Sequence, residues 1–379
     1  MADIIYLDNA TTTPLDPAVL REMLPYYKDD YGNPSVSYRL GNRSKIAIEN
    51  ARRIIVEVLG ARNGNVFFTS GGSEGNNWAI RGMIAANNIK HVITSPIEHA
   101  SVRSTFKHLA QQGWVSVHEL PLDPQGNIVY DALETLLSMY PSAFVSLMHG
   151  NNEVGNLTDI ERVGTLCRQH GALFHSDMVQ TISHLPIDLQ HLPVDVCTAS
   201  AHKFHGPKGI GFIYVRDGIK MLPLIYGGVQ EKGMRAGTEN VAAIVGMGKA
   251  LEIAHQRLIP DNNHLRSLKS TLIEKIVEAV PNVHFNGASA DMTASLPAIL
   301  NVGFPWKHYQ KTLLLKLDVD GICAASGSAC MSGTQLVSHV LKAIGVPYPE
   351  SSVRFSFSRY NTLAEMAVVA QKLSIYSLK

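Results

Sequence analysis

Three short stretches of this chain combine residue types and spacings that suit chemistry. The first is Phe68-Thr69-Ser70-Gly71-Gly72-Ser73-Glu74-Gly75-Asn76-Asn77, an apolar run that ends in small polar residues and opens a helix. Such a turn aims backbone N–H groups and the positive end of a helix dipole at one point. That suits a phosphate, with Ser73 adding a hydroxyl, although the same residues also suit an ordinary N-capped helix. The Gly-Lys-Ser/Thr ending of a Walker loop is missing and the turn does not match GxGxxG, so no nucleotide site is indicated. The second stretch is His175-Ser176-Asp177-Met178-Val179-Gln180. A carboxylate at the end of a buried strand is costly alone, so a cationic partner is expected beside Asp177, with a helix N-cap as its alternative.

The third stretch, Thr198-Ala199-Ser200-Ala201-His202-Lys203-Phe204-His205-Gly206-Pro207-Lys208-Gly209, sets a lysine between a strand and a tight turn. Lys203 follows Asp177 by 203 − 177 = 26 residues. That interval fits one strand–helix–strand unit and brings both to neighbouring strand ends. A lone loop lysine is usually a solvated charge, but one in this setting suits a Schiff base. His202 and His205 suggest no third ligand, and no metal is assigned. A phosphate cup, a buried aspartate and a strand-end lysine together match what pyridoxal phosphate needs.

Seven short apolar runs supply the strands that must hold these residues. They are Val66–Thr69, His91–Thr94, Val115–His118, Ala143–Leu147, Leu173–Ser176, Val194–Thr198 and Gly211–Val215. Helical spacing separates them at Ile46–Leu59, Glu74–Ala86, Val102–Gln112, Ile160–His170 and Val241–Arg257. The alternation predicts an α/β fold with a mostly parallel sheet flanked by helices. The rhythm changes near Leu258-Ile259-Pro260-Asp261. We therefore expect a large domain over 16–259 and a smaller α+β domain over 260–379, with residues 1–15 packing on either. In the smaller domain the expected elements are helices at Leu265–Val280, Tyr309–Leu317 and Leu363–Leu378, and strands at Leu300–Val302 and Ser352–Ser356.

Composition narrows the function classes. The 379 residues are 45% hydrophobic and only 17% charged, and 33 basic against 32 acidic residues leave a net charge of +1. That balance argues against a generally basic nucleic-acid binder or an anionic-membrane binder. The low charge predicts extensive burial, in a large core or against a second subunit. No run approaches ~18 apolar residues, and the N-terminus lacks a signal-peptide pattern, so a cytoplasmic location is expected. Four cysteines, at 167, 197, 323 and 330, form no disulfide framework.

Across nearly its whole length the chain resembles the cysteine desulfurases, of the NifS/IscS-like kind, in the class V aminotransferase superfamily. These are fold-type I enzymes dependent on pyridoxal 5'-phosphate. The resemblance rests on Tyr6-Leu7-Asp8-Asn9-Ala10-Thr11-Thr12, Gly32-Asn33-Pro34-Ser35, Ser73-Glu74, Glu98-His99 and Asn151-Asn152-Glu153-Val154-Gly155. It continues in the Ser-x-His-Lys run at 200–203, Arg235-Ala236-Gly237-Thr238, Ser326-Gly327-Ser328-Ala329-Cys330 and Arg354-Phe355-Ser356. It implies that Lys203 carries the cofactor, Asp177 pairs with the ring nitrogen and Gln180 with the ring oxygen. His99 and Val179 would pack the two ring faces, and His99 would also handle protons. Gly72, Ser73, Ser200 and His202 would hold the phosphate, with Thr238 reaching across from the second subunit of a homodimer. Asn152, Arg354 and Asn33 would receive the substrate L-cysteine, Arg354 gripping its carboxylate as a bidentate fork.

The resemblance also makes Cys330 the nucleophile that becomes a persulfide while cysteine becomes alanine. Its surroundings, Ala324-Ala325-Ser326-Gly327-Ser328-Ala329-Cys330-Met331-Ser332-Gly333, are too small and polar to build a core. The other three thiols read as structural, with a Cys323–Cys330 disulfide the lesser alternative. Other class V activities (selenocysteine lyase, β-lyase or aminotransferase) and a non-catalytic scaffold are the rival readings, and Cys330 favours the desulfurase. The sulfur acceptor, whether an iron–sulfur scaffold or another carrier, stays open because no longer C-terminal docking tail follows. Three positions depart from the family pattern: Gly72-Ser73 stands where Ala-Thr is frequent. Met178 stands where a small residue is usual, and is expected to narrow the pocket.

Overall fold

The structure is a computed structural model that describes residues 4–306, 312–326, 338–347 and 351–377. Among them the strands are β1 (Ile5–Tyr6), β2 (Gly64–Thr69), β3 (His91–Thr94), β4 (Ser116–Glu119), β5 (Phe144–Ser146) and β6 (Leu173–Asp177). They continue as β7 (Val196–Ser200), β8 (Gly211–Arg216), β9 (His284–Phe285), β10 (Ile299–Gly303), β11 (Ile322–Cys323) and β12 (Ser352–Ser356). The helices are α1 (Pro17–Met23), α2 (Pro25–Lys28), α3 (Arg39–Val58), α4 (Gly72–Asn87), α5 (Ala100–Gln111) and α6 (Tyr130–Met139). After them come α7 (Ile160–Gln169), α8 (Val241–Gln256), α9 (Leu258–Ala279), α10 (Leu313–Val319), α11 (His339–Ala343) and α12 (Leu363–Ser377).

Strands β2 to β8 form one seven-stranded sheet in the order β2-β8-β7-β6-β5-β3-β4. Only β8 runs against its neighbours; the other pairings are parallel. Every residue of β5 and β7 is buried, which is why these runs are uniformly apolar or small rather than alternating. One face packs on Ile48, Ala51, Ile55, Met247 and Leu251 from α3 and α8, the other on Trp78, Ile80, Met83, Val102 and Phe106 from α4 and α5. Since β2, β3, β5, β6 and β7 point the same way, the segments that follow them gather at one edge. Ligand sites of such sheets lie at that carboxyl edge.

A separate core joins Leu268, Leu272, Leu300, Val353, Phe355 and Leu373. It surrounds the antiparallel sheet β12-β10-β9. Ile5 and Leu7 belong to this second core, and β1 pairs in parallel with β11. The N-terminal segment then crosses to the large sheet, where Thr13 N donates to His202 O at 2.9 Å.

The helix expected from Leu265 begins earlier: α9 starts at Leu258 and only Arg257 separates it from α8. A proline in the first helical turn loses no intrahelical bond, because the leading N–H groups have no partner there. Helix α6 was not anticipated, since its short Leu133/Leu137 stripe follows a turn-rich stretch. Met178 corrects a second expectation. It is fully buried in the large core and does not line the cavity described below, so it does not narrow it.

Candidate active site

At the carboxyl edge of the large sheet lies a cavity of about 220 Å³. Gly72, Ser73, His99, Asn152, Asp177, Val179, Gln180, Ser200, His202, Lys203 and Arg354 all line it. Asn33 and Thr238 do not. Both are exposed, and Asn33 Oδ1 accepts from the Ser35 amide at 2.9 Å within its own turn. Cys330 lies outside the described residues.

The wall contributed by β2 and α4 is backbone made. Gly71 precedes the helix at φ +147°, a conformation that suits glycine, and no side chain caps the helix. A Cβ on Gly72 would meet Val179 Cγ2 at 2.8 Å, so the small residue here and the branched one at 179 fit each other. The first turn of α4 is fixed by Glu74, which accepts from Ser70 N at 2.7 Å and from Arg235 Nε at 2.9 Å. Although burial pushes the Glu74 carboxyl up, these donors and the Arg235 charge hold it below its ordinary value.

Asp177 ends β6 and is buried. Among the described residues no side chain forms an ion pair with it. Instead Asn76 Nδ2 donates to Oδ2 at 2.6 Å and the Val179 amide to Oδ1 at 3.0 Å. Two neutral donors orient the carboxylate without cancelling its charge. Asn76 Oδ1 is itself buried and lacks a protein partner. Behind Asp177, burial pushes the His175 ring down to about 4, so it is neutral.

Lys203 sits in a single 3-10 turn, Ala201–Lys203, directly after β7. Its Nζ donates to Ala10 O and, at 2.8 Å, to Thr11 O. Gln180 Nε2 also donates to Ala10 O, at 2.9 Å. His202 Nδ1 lies 3.2 Å from Thr12 Oγ1, and burial with the Lys203 and Lys208 charges pushes its ring down to about 4. The His-x-x-His pair is thus separately employed, since His205 Nδ1 faces Pro14 O at 3.0 Å.

The opposite wall comes from the second core and the 150–156 turn. Arg354, 1% exposed, donates through Nη1 to Asn152 O at 2.8 Å and through Nη2 to Asp8 Oδ1 and Thr11 Oγ1, both at 2.7 Å. Asn151 Oδ1 accepts from the Glu153 and Val154 amides at 2.8 and 2.9 Å, which shapes that turn. Burial pushes the Glu153 carboxyl up, against the pull of Ser338, Arg354 and His99.

Four residues that matter here were not singled out from sequence: Asn76, Ser101, Glu153 and His339. Asn76 had a signal, lying on the face of α4 that starts at Gly72 and Ser73. His339 had none, because nothing local ties it to a cavity built by distant elements.

The residues fit pyridoxal phosphate: a helix start with free N–H groups, an amine, and a buried carboxylate held only by neutral donors all face one cavity. A family model for aminotransferase class-V matches residues 5–369. The chain belongs to the class V aminotransferase family. Its members depend on pyridoxal phosphate. Among curated relatives, the cysteine desulfurase IscS of Clostridium botulinum is 40% identical, covering 97% of this chain and 93% of that protein. Cysteine desulfurase 2 of Trichormus variabilis is 43% identical, covering 97% and 92%. A solved NifS-like protein superposes with a TM-score of 0.90 at 35% identity, over 99% of this chain and all of that one. A second structure, SspA in complex with cysteine, gives 0.80 at 32% identity, over 94% and 100%.

Proposed function

We propose that this enzyme is a cysteine desulfurase that converts L-cysteine to L-alanine and passes the sulfur to Cys330 as a persulfide. The observation that carries it is the cavity that sets Lys203 and Asp177 opposite Arg354, a carboxylate receptor, in a chain whose relatives are cysteine desulfurases. When bound, the cofactor supplies an electron sink that lets the substrate's Cα proton leave. Lys203 Nζ would hold it and, as a free amine, would take that proton. Asp177 would keep the ring nitrogen protonated, and the amides at the start of α4, with Ser73, Ser200 and His202, would bind the phosphate. His99 and Val179 would pack against its ring and Gln180 would hydrogen-bond its oxygen. Arg354 and Asn152, with Asn33, orient the substrate; its carboxylate shares Arg354 with Asp8.

Chain length supports the thiol's role. Ala325 pairs with the backbone of Arg354, and 330 − 325 = 5 residues separate it from Cys330. Five residues span at most ~17 Å. The buried Cys197 is pushed up to about 12 and Cys167 still higher, so neither supplies a thiolate.

We further propose a homodimer in which Thr238 completes the partner's phosphate site. In support, Thr238 is exposed away from its own cavity, and its loop shows Val229 at 87% and Tyr226 at 74% exposure. Residues 16–259 then form the cofactor-binding unit and 260–379 the unit carrying the thiol, with 1–15 bridging them. Among the described residues no helix is long and apolar enough to cross a membrane. We place the enzyme in the cytoplasm, with a sulfur-acceptor protein, such as an iron–sulfur scaffold, as its partner. Incubation with L-cysteine should yield alanine and add one sulfur atom to the intact mass, mapped to Cys330. Alanine without that added mass contradicts the reading.

A further inference from the structure

Two histidines line the cavity, and their rings are engaged on opposite sides. His99 is the N-cap of α5. Its Nδ1 accepts from the Ser101 amide at 3.2 Å, and the Ser101 hydroxyl lies 2.8 Å from the same nitrogen. A ring nitrogen that accepts from an amide carries no proton, so neutral His99 holds its proton on Nε2. Ser101 Oγ in turn accepts from Asn76 Nδ2 at 2.9 Å, the same amide that binds Asp177. The lone pair of His99 is therefore committed to its own helix turn. Toward a thiol, the neutral ring offers a donor and no acceptor.

His339 is the converse case. It opens α11, lines the same cavity, and its Nε2 lies 3.0 Å from the backbone carbonyl of Glu98. A carbonyl only accepts, so Nε2 bears the proton and Nδ1 keeps the lone pair. Burial, with the Arg103 charge, lowers the ring's pKa against the opposing bond to Glu98, which keeps it neutral. The start of α11 is pinned, because Ser338 Oγ donates to Glu153 and accepts from Leu341 N at 3.1 Å.

We propose that His339 is the base that accepts the proton of the attacking thiol, a role that the bonded geometry of His99 does not allow. This rests on the desulfurase reading above. The S–H proton passes to His339 Nδ1, and the thiolate forms an S–S bond with the substrate sulfur as its C–S bond breaks. The electron pair of that bond stays on the carbon fragment, which takes a proton back from the imidazolium. The sulfur is oxidised and the carbon reduced, so no external oxidant enters. Among the described residues the charged or titratable groups around His339 are His99, Arg103, Glu98 through its carbonyl and, through Ser338, Glu153.

The test follows first-turnover alanine formation in the holoenzyme for wild type, His339→Ala, His339→Gln and Cys330→Ala. Both His339 variants should be slower by ~100-fold, the usual scale of a lost general base. Added imidazole should restore His339→Ala and leave His339→Gln unchanged, while the cofactor absorbance and its response to L-cysteine stay as in wild type. Ring NMR of 15N-histidine-labelled protein should show His339 in the Nε2–H form. A wild-type rate in His339→Gln overturns the proposal, since that side chain keeps a donor for Glu98 and has no base. So does a loss in His339→Ala that imidazole does not restore, or an Nδ1–H tautomer. Undiminished alanine formation in Cys330→Ala defeats the desulfurase reading itself, whatever the His339 variants do.

Discussion

The floor of the cavity and its rim are built by different means. Asp177, Ser200, Lys203 and the Gly71-Gly72-Ser73 turn each sit within a few residues of the carboxyl end of a buried strand. The sheet alone places them, and short bonds such as Asn76 to Asp177 only set their angle. The rim is held across long sequence separations. Arg354 reaches Asp8, Ser338 reaches Glu153, and His339 reaches Glu98. The floor is thus a product of one layer's regularity, and the rim of two cores meeting. A floor made this way suits fixed cofactor chemistry, whereas a rim made this way couples substrate capture to the segment that carries the thiol.

The most damaging change to the floor should be Lys203→Ala. We expect turnover to be abolished, a loss beyond ~10⁴-fold, and borohydride reduction to leave no cofactor attached to the protein. On the rim, Glu153→Ala removes the acceptor for Ser338 and exposes Arg354 to less negative surroundings. Sulfur transfer should slow ~10-fold in first-turnover measurements, while the L-cysteine-induced absorbance change survives. An equal loss of both would erase the distinction between floor and rim. Smaller still is the fit between Gly72 and Val179. Gly72→Ala should weaken cofactor affinity several-fold by forcing a 2.8 Å contact, and Val179→Ala in the same chain should restore it. Titration of the apoenzyme with pyridoxal phosphate measures both.

The second core carries a pH-dependent element of its own. Lys269 is fully buried, donates to Ser295 Oγ at 2.7 Å and to Leu296 O at 3.0 Å, and is lowered by burial from 10.5 to about 7. Between those values the unfolded chain binds the proton and the folded one does not. Stability should therefore rise with pH across that window and be flat below it, as far as this group is concerned. Lys269→Met should flatten that slope in denaturant titrations; an unchanged slope removes Lys269 as its source.

The same contrast explains what was legible in the sequence. Lys203, Asp177 and the Gly72-Ser73 turn stand in runs whose strand–turn–helix pattern can be read locally, and the seven apolar runs became the seven strands. Where a long-range contact decides, the reading failed. The bond that orients Asp177 comes from Asn76, which is 177 − 76 = 101 residues away. Met178 was expected to narrow the pocket because a small residue is usual there, yet just past the end of β6 its side chain is buried in the large core. The start of α9 was read seven residues late, at Leu265 rather than Leu258, because the place of Pro260 within its first turn depends on where α8 ends.

The division of labour between floor and rim is tested most directly with Cys330→Ala. Stopped-flow absorbance of this holoenzyme variant mixed with L-cysteine, followed by assay of alanine and sulfide, separates the two halves. The change in cofactor absorbance should persist at the wild-type rate while alanine and sulfide fall to background. Sustained sulfide production, or loss of the absorbance change, would contradict it.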